Sequence, residues 1–167
     1  MSAAPAIVIR PAVREDAGRI LAFIRELAEY EKLAHEAVAD EAGLAAQLFG
    51  ATPRAEVLIA EVDGEAAGFA LFFHNFSTFL GKPGLYLEDL FVRPAFRGLG
   101  LGKRLMVRLA KLAVERDCGR FEWSVLDWNQ PAIDFYRSLG AVGMDEWTVQ
   151  RVAGDALQAL ASQAGND

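Results

Sequence analysis

Disulfide chemistry is closed to this chain. It has one cysteine, Cys118, so no internal bridge can form and a reducing, cytoplasmic setting is the natural expectation. Cys118 itself reads as a small apolar filler. Histidine is almost as scarce. His35 and His74 have no companions at ligand spacing, which argues against a metal and leaves no basis for a Ser-His-Asp arrangement. Positive charge is in deficit: 17 Lys and Arg against 23 Asp and Glu leave a formal net charge of -6. That disfavours nucleic acid as a partner and mildly favours cations. No apolar run is long enough to span a membrane, and Met1-Ser2-Ala3-Ala4-Pro5 lacks the basic start of a secretory leader. Repeats and low-complexity linkers are missing too.

What is present suits a folded α/β domain. Hydrophobic content is 53% and charged content 24% over 167 residues, enough for one core and too little for two comfortable domains. The whole chain, 1–167, is therefore read as a single domain, with a core over about 7–152 and a C-terminal tail. Ile7-Val8-Ile9-Arg10 predicts a strand stopped by Pro11. Asp16 is placed to cap a helix with apolar positions Ile20, Leu21, Ile24 and Leu27. A second helix is expected over 40–49. Glu56–Val62 and Ala66–Phe73 read as strands joined at Asp63-Gly64, a hairpin signal. Residues 74–84 read as a loop. Further on, 121–126 predicts a strand, Pro131 opens a short helix that Gly140 closes, 147–152 predicts a last strand, and Asp155 caps a terminal helix.

The stretch around which these elements gather is Leu85-Tyr86-Leu87-Glu88-Asp89-Leu90-Phe91-Val92. It has the length and composition of a buried strand. Pro94 ends the ladder. Gly98, Gly100 and Gly102 follow, and from Leu101 to Arg116 the apolar positions return at helical spacing. A glycine loop before a helix start gathers free N–H groups and the positive end of the dipole, which suits an anion. The P-loop pattern fails, because Arg97 stands where its first glycine belongs and Arg104 where Ser or Thr belongs. The dinucleotide fingerprint fails at Lys103. What remains is Arg-x-x-Gly-x-Gly at Arg97, Gly100 and Gly102.

Few side chains are suited to chemistry. Glu88 and Asp89 sit inside an apolar strand, and strand alternation directs them to opposite faces. A carboxylate there needs an ionic partner or an opening to solvent; beside the anion loop it would gather an ammonium group and take its proton. Tyr136 is either a packed phenol or, with a pKa of roughly 10, a proton donor to a departing thiolate. Asn129, just ahead of Pro131, would bond either backbone or ligand.

These stretches together resemble the diamine branch of the GCN5-related N-acetyltransferase (GNAT) superfamily, which includes the spermidine/spermine and thialysine acetyltransferases. The match runs over residues 7–152. It rests on Ile9-Arg10-Pro11-Ala12, Glu26-Leu27-Ala28-Glu29-Tyr30-Glu31, Tyr86-Leu87-Glu88-Asp89, Phe96 to Gly102, Leu126-Asp127-Trp128-Asn129-Gln130 and Phe135-Tyr136. The resemblance implies a GNAT fold: a mixed central β-sheet splayed between two strands, with helices on both faces. It further implies acetyl-CoA in the gap, a small-molecule amine acceptor, direct attack without a covalent enzyme intermediate, no metal, and a homodimer.

Carried over residue by residue, the resemblance assigns Leu90, Phe91 and Val92 to the pantetheine arm. It assigns Arg97, Gly98, Leu99, Gly100, Leu101, Gly102 and Lys103 to the pyrophosphate, and Asn129, Gln130, Pro131 and Ala132 to the cofactor further along. Tyr136 takes the role of general acid and Glu88 that of the group deprotonating the amine through water. Tyr30, Glu31, Glu88, Asp89, Glu122, Trp123 and Ser124 become acceptor contacts. Polyamine-acting members carry an Asp and a Trp where this chain has Ser77 and Phe79, so a small diamine or lysine-like amine is expected. The alternatives are a protein or peptide amine, or a domain that binds acyl-CoA without turnover.

Overall fold

Strands β1 (Ile7–Pro11), β2 (Glu56–Val62), β3 (Glu65–Ser77), β4 (Lys82–Val92) and β5 (Phe121–Trp123) form one sheet in that order in the computed structural model, which describes residues 3–165. The first four are antiparallel neighbours, while β5 joins β4 in parallel. Two compact units are present, one up to Leu126 and one from Asp127.

In the first unit, helices α1 (Ala17–Tyr30) and α2 (Glu41–Phe49) cover one face of the sheet. Ile20, Phe23 and Leu27 of α1 and Leu48 of α2 bury against Val57, Ile59, Phe69 and Phe91. The Phe23 and Phe69 rings stack with centroids 5.2 Å apart. Asp40 caps α2, accepting the Gly43 N–H at 2.6 Å. Helix α3 (Leu101–Glu115) buries Leu101, Leu105, Leu109 and Ala113, a single stripe at four-residue spacing. Its Leu101 packs with Val62 and Ala67, and Ile7 of β1 lies against that group. The β2–β3 hairpin turns on two residues of positive φ, Asp63 at 50° and Gly64 at 84°, as the Asp-Gly signal predicts.

The structure departs from the sequence reading in several places. Asp16 stands at the start of α1 without capping it. Its carboxylate instead accepts from Arg10 at 2.7 and 2.9 Å, from Arg19 at 2.8 Å and from the Val13 N–H at 2.8 Å. Residues 74–84 are mostly ladder rather than loop, because β3 and β4 stay paired out to Ser77 and Lys82. Two glycines and a lack of alternation hid that extension. Strand β5 stops at Trp123 rather than 126.

The second unit contains α4 (Gln130–Ser138) and α5 (Gly154–Ala161). Asn129 caps α4, its Oδ1 accepting the Ala132 N–H at 3.4 Å, and Pro131 occupies the first turn. Gly140, with φ of 94°, follows the last turn. No strand forms over 147–152, where none of the described residues supplies a ladder partner. The cap of α5 falls at Ala153, and Asp155 lies inside its first turn.

Candidate active site

Register along β4 shapes the candidate site. Leu71 of β3 pairs with Asp89, and the next residue, Phe72, pairs with Leu87. Glu88 is left over, so β4 bulges there. A bulge sets two residues opposite one and re-aims their side chains. Glu88 and Asp89 therefore share the face of Leu71, which packs against the α1 core. This corrects the expectation of opposite faces, which assumed an unbroken ladder.

The electrostatics agree with that placement. Asp89 is partly buried, and burial first, then the charges of Glu88 and Glu31, push its carboxyl up to about 6. Burial also raises Glu31, the residue after the last turn of α1. Glu88 is exposed. Three carboxylates thus gather in the first unit at one end of α1, and desolvation and mutual repulsion favour an incoming cation or a retained proton.

Pairing between β4 and β5 covers only Leu85–Leu87 and Phe121–Trp123. Beyond the bulge none of the described residues pairs with β4 in parallel, so the two strands part. The Arg93 N–H bonds Ala67 O at 2.8 Å, which sets the phase of the β3–β4 ladder. By that phase Phe91 turns its N–H and C=O toward β3, while those of Leu90 and Val92 turn toward the gap. Phe91 contributes a buried side chain instead, so of the three backbone positions expected to meet a ligand, two face the opening. Arg97 Nε already donates to Val92 O at 3.1 Å.

Past the gap comes the glycine loop. Gly98 and Gly100 have φ of 85° and 76°. A Cβ added at either would meet nothing within 4 Å, so the space over the loop is open. The Arg104 N–H is the first in α3 to bond back, to Gly100 O at 3.0 Å. Those of Leu101, Gly102 and Lys103 precede it and lack helical partners. These donors fit a diphosphate, and an extended chain between loop and bulge fits the outward groups of β4. The Arg97 guanidinium is turned elsewhere, over the Tyr30 ring at 5.3 Å and the Phe91 ring at 5.9 Å. The backbone of the loop, rather than this side chain, offers the anion site.

The remaining acceptor candidates divide between faces. Tyr86 pairs with Glu122, so both lie on the α1 face, and Tyr86 Oη is 3.0 Å from Ser124 Oγ. Trp123 pairs with Leu87 and lies on the other face, so the structure does not bring it together with Glu122 and Ser124. Tyr86 stands two residues before Glu88, and the period of two along a strand carries it to this face. Ser77 is buried, its hydroxyl accepting the Leu80 N–H at 3.2 Å, while Phe79 is 96% exposed. In the second unit, Asn129 is buried as the α4 cap, and Tyr136 lies on α4 with its ring 5.4 Å from that of Phe135.

Parted strands, outward backbone groups and an anion-ready helix start suit a class of enzyme whose donor is extended and anion-ended, beside a carboxylate-lined face. The chain belongs to the acetyltransferase (GNAT) family, whose model matches residues 20–141, and is an acetyltransferase. It is 39% identical over 168 residues to thialysine N-epsilon-acetyltransferase of Bos taurus, covering 94% of this chain and 98% of that one. It is 36% identical over 197 residues to L-ornithine N5-acetyltransferase of Arabidopsis thaliana, covering 91% and 86%. Among solved structures, an integron cassette protein from the mobile metagenome of V. cholerae aligns with a TM-score of 0.79 at 30% identity, over 93% of this chain and 97% of that one. These names agree with the diamine branch.

Proposed function

We propose that the protein transfers an acetyl group from acetyl-CoA to a primary amine of a small diamine or lysine-like molecule. The observation that carries this reading is the β4 bulge, which gathers Glu88, Asp89 and Glu31 beside the parting of β4 and β5. Its relatives' names, thialysine and ornithine, supply the substrate class. The family match runs from 20 to 141, across the boundary at 126–127, which supports a single catalytic domain over both units.

An alkylamine arrives protonated, with a pKa near 10.4, and cannot attack until it loses a proton. The carboxylates hold the ammonium group, and exposed Glu88 takes the proton, directly or through water. The thioester supplies the activated acetyl group. N–H groups of Leu90 and Val92 are positioned along the gap to stabilise the developing oxyanion. Tyr136 protonates the leaving thiolate, a role that rests on the resemblance. Arg97, Gly98, Leu99 and Lys103 shape the loop, and Asn129 to Ala132 contact the donor further along. A cytoplasmic enzyme with no nucleic-acid partner fits the net charge of -6 and the single cysteine.

The test is thiol release from acetyl-CoA with thialysine, ornithine, lysine, spermidine and a lysine peptide. Thialysine, ornithine or lysine should give the highest kcat/KM. Glu88→Gln and Tyr136→Phe should each lower kcat by about 10²-fold while leaving acetyl-CoA affinity nearly unchanged. A clear preference for spermidine or for the peptide would reject the substrate class. Tight acetyl-CoA binding with no transfer to any amine would reject catalysis.

A further inference from the structure

The far edge of the sheet has an open strand and a row of cations that the proposed transfer does not use. Strand β1 is an edge strand, and no strand among the described residues pairs with its outer side. The phase of its ladder is set by Asp63 N–H bonding Ala6 O and Ala12 N–H bonding Val57 O, both at 2.8 Å. Even-numbered residues therefore turn their backbone polar groups toward β2. Ile7 and Ile9 turn theirs outward, leaving two N–H and two C=O groups unpaired along the edge. Pro11, without an N–H, limits the run.

Those same two residues line a groove of about 610 Å³ whose other wall is α3. Ile7, Ile9 and Val107 make its apolar floor, Arg104, Arg108 and Lys111 rim it, and Gly100 and Lys103 of the glycine loop line it as well. Among the described residues no carboxylate pairs with Arg104 or Arg108; Lys111 reaches Glu115 at 3.7 Å. Concentrated positive charge beside an open strand edge is unusual in a chain of net charge -6.

We infer that this groove docks an extended acidic segment of a partner protein, which adds a strand to β1 and sets alternate apolar and carboxylate side chains against the floor and the rim. Each feature selects for it. Outward N–H and C=O groups call for a peptide backbone. A small inorganic anion would leave the isoleucine floor uncovered. A second copy meeting this edge through its own β1 would bring the same cations face to face, which electrostatics opposes. The inference does not rest on the proposed acceptor: Gly100 and Lys103 are shared with the donor loop, while Ile7, Ile9, Val107, Arg104, Arg108 and Lys111 have no part in the proposed transfer.

Fluorescence anisotropy with labelled acetyl-(Glu-Val)3-amide tests it. Saturable binding in the micromolar range is expected, weakened about tenfold in Arg104→Glu/Arg108→Glu. That double variant should keep its amine acetylation rate and thermal midpoint, since both side chains are exposed. A (Lys-Val)3 peptide should not bind, and N-methylation of alternate amides in the acidic peptide should abolish binding. Equal binding by hexaglutamate or by the N-methylated peptide would overturn strand addition. Displacement by CoA would make the groove an extension of the donor site and overturn the proposal. So would self-association lost in the double variant, which would assign the edge to a second copy.

Discussion

Burial pushes the carboxyls of Asp16 and Asp89 up alike, and their partners then drive them in opposite directions. Asp16 is only 1% exposed, yet two guanidinium groups and a backbone N–H hold its carboxyl down at about 2, with the Arg10 hydrogen bond the largest cause. Asp89 is raised first by burial and then by the like charges of Glu88 and Glu31. The stability consequences differ in sign. Asp16 stabilises the fold above the ordinary carboxylate range, and that contribution is lost as pH falls from about 4 toward 2. Asp16→Asn, which leaves Arg10 without its main partner, should cost about 3 kcal/mol at pH 7, read by urea denaturation. Asp89 in the folded state holds a proton that the unfolded chain gives up between the ordinary carboxyl value of 3.8 and about 6, so stability falls as pH rises through that window. Asp89→Asn should raise stability at pH 7 by about 2 kcal/mol, with the gain vanishing near pH 4 in matched thermal melts. Under the proposed function the same variant should lose amine affinity, a trade of stability for binding.

At the scale of elements, one extra residue decides the geometry. Without the bulge at Glu88, alternation would place only one of the two carboxylates on the α1 face. The same strand then leaves β5, and its outward groups at Leu90 and Val92 follow from ladder phase alone. The glycine loop depends on backbone freedom at Gly100, whose φ of 76° places the N-cap of α3 in the left-handed region. Gly100→Ala fits the space but not the φ, since nothing lies within 4 Å of an added Cβ. It should cost about 1 kcal/mol and weaken acetyl-CoA binding several-fold, measured by denaturation and by calorimetric titration. Unchanged affinity would show that the loop does not hold the diphosphate.

For the molecule as a whole, the telling surface is in the second unit. Trp147 and Val149 are 79% and 78% exposed, and Val142 is 82% exposed, within a segment that forms no ladder. Apolar exposure on that scale favours association. We therefore propose a homodimer in which residues 141–152 are covered by the second copy. Light scattering should give twice the 18.2 kDa chain mass. Trp147→Glu should shift the equilibrium toward monomer, and a monomeric wild type would end the proposal.

Much of this was legible in the chain itself. Helix stripes, the Asp-Gly hairpin, the Asn129 and Asp40 caps, and the glycine loop before α3 are local, so residue spacing and short-range hydrogen bonds determined them. The gathering of Glu88, Asp89 and Glu31, the second partner of Asp16, the length of the β3–β4 ladder and the outward phase of β1 were decided only in three dimensions. Each depends on which residue of a distant strand stands opposite, and a one-residue slip in register reverses every face without altering local propensity.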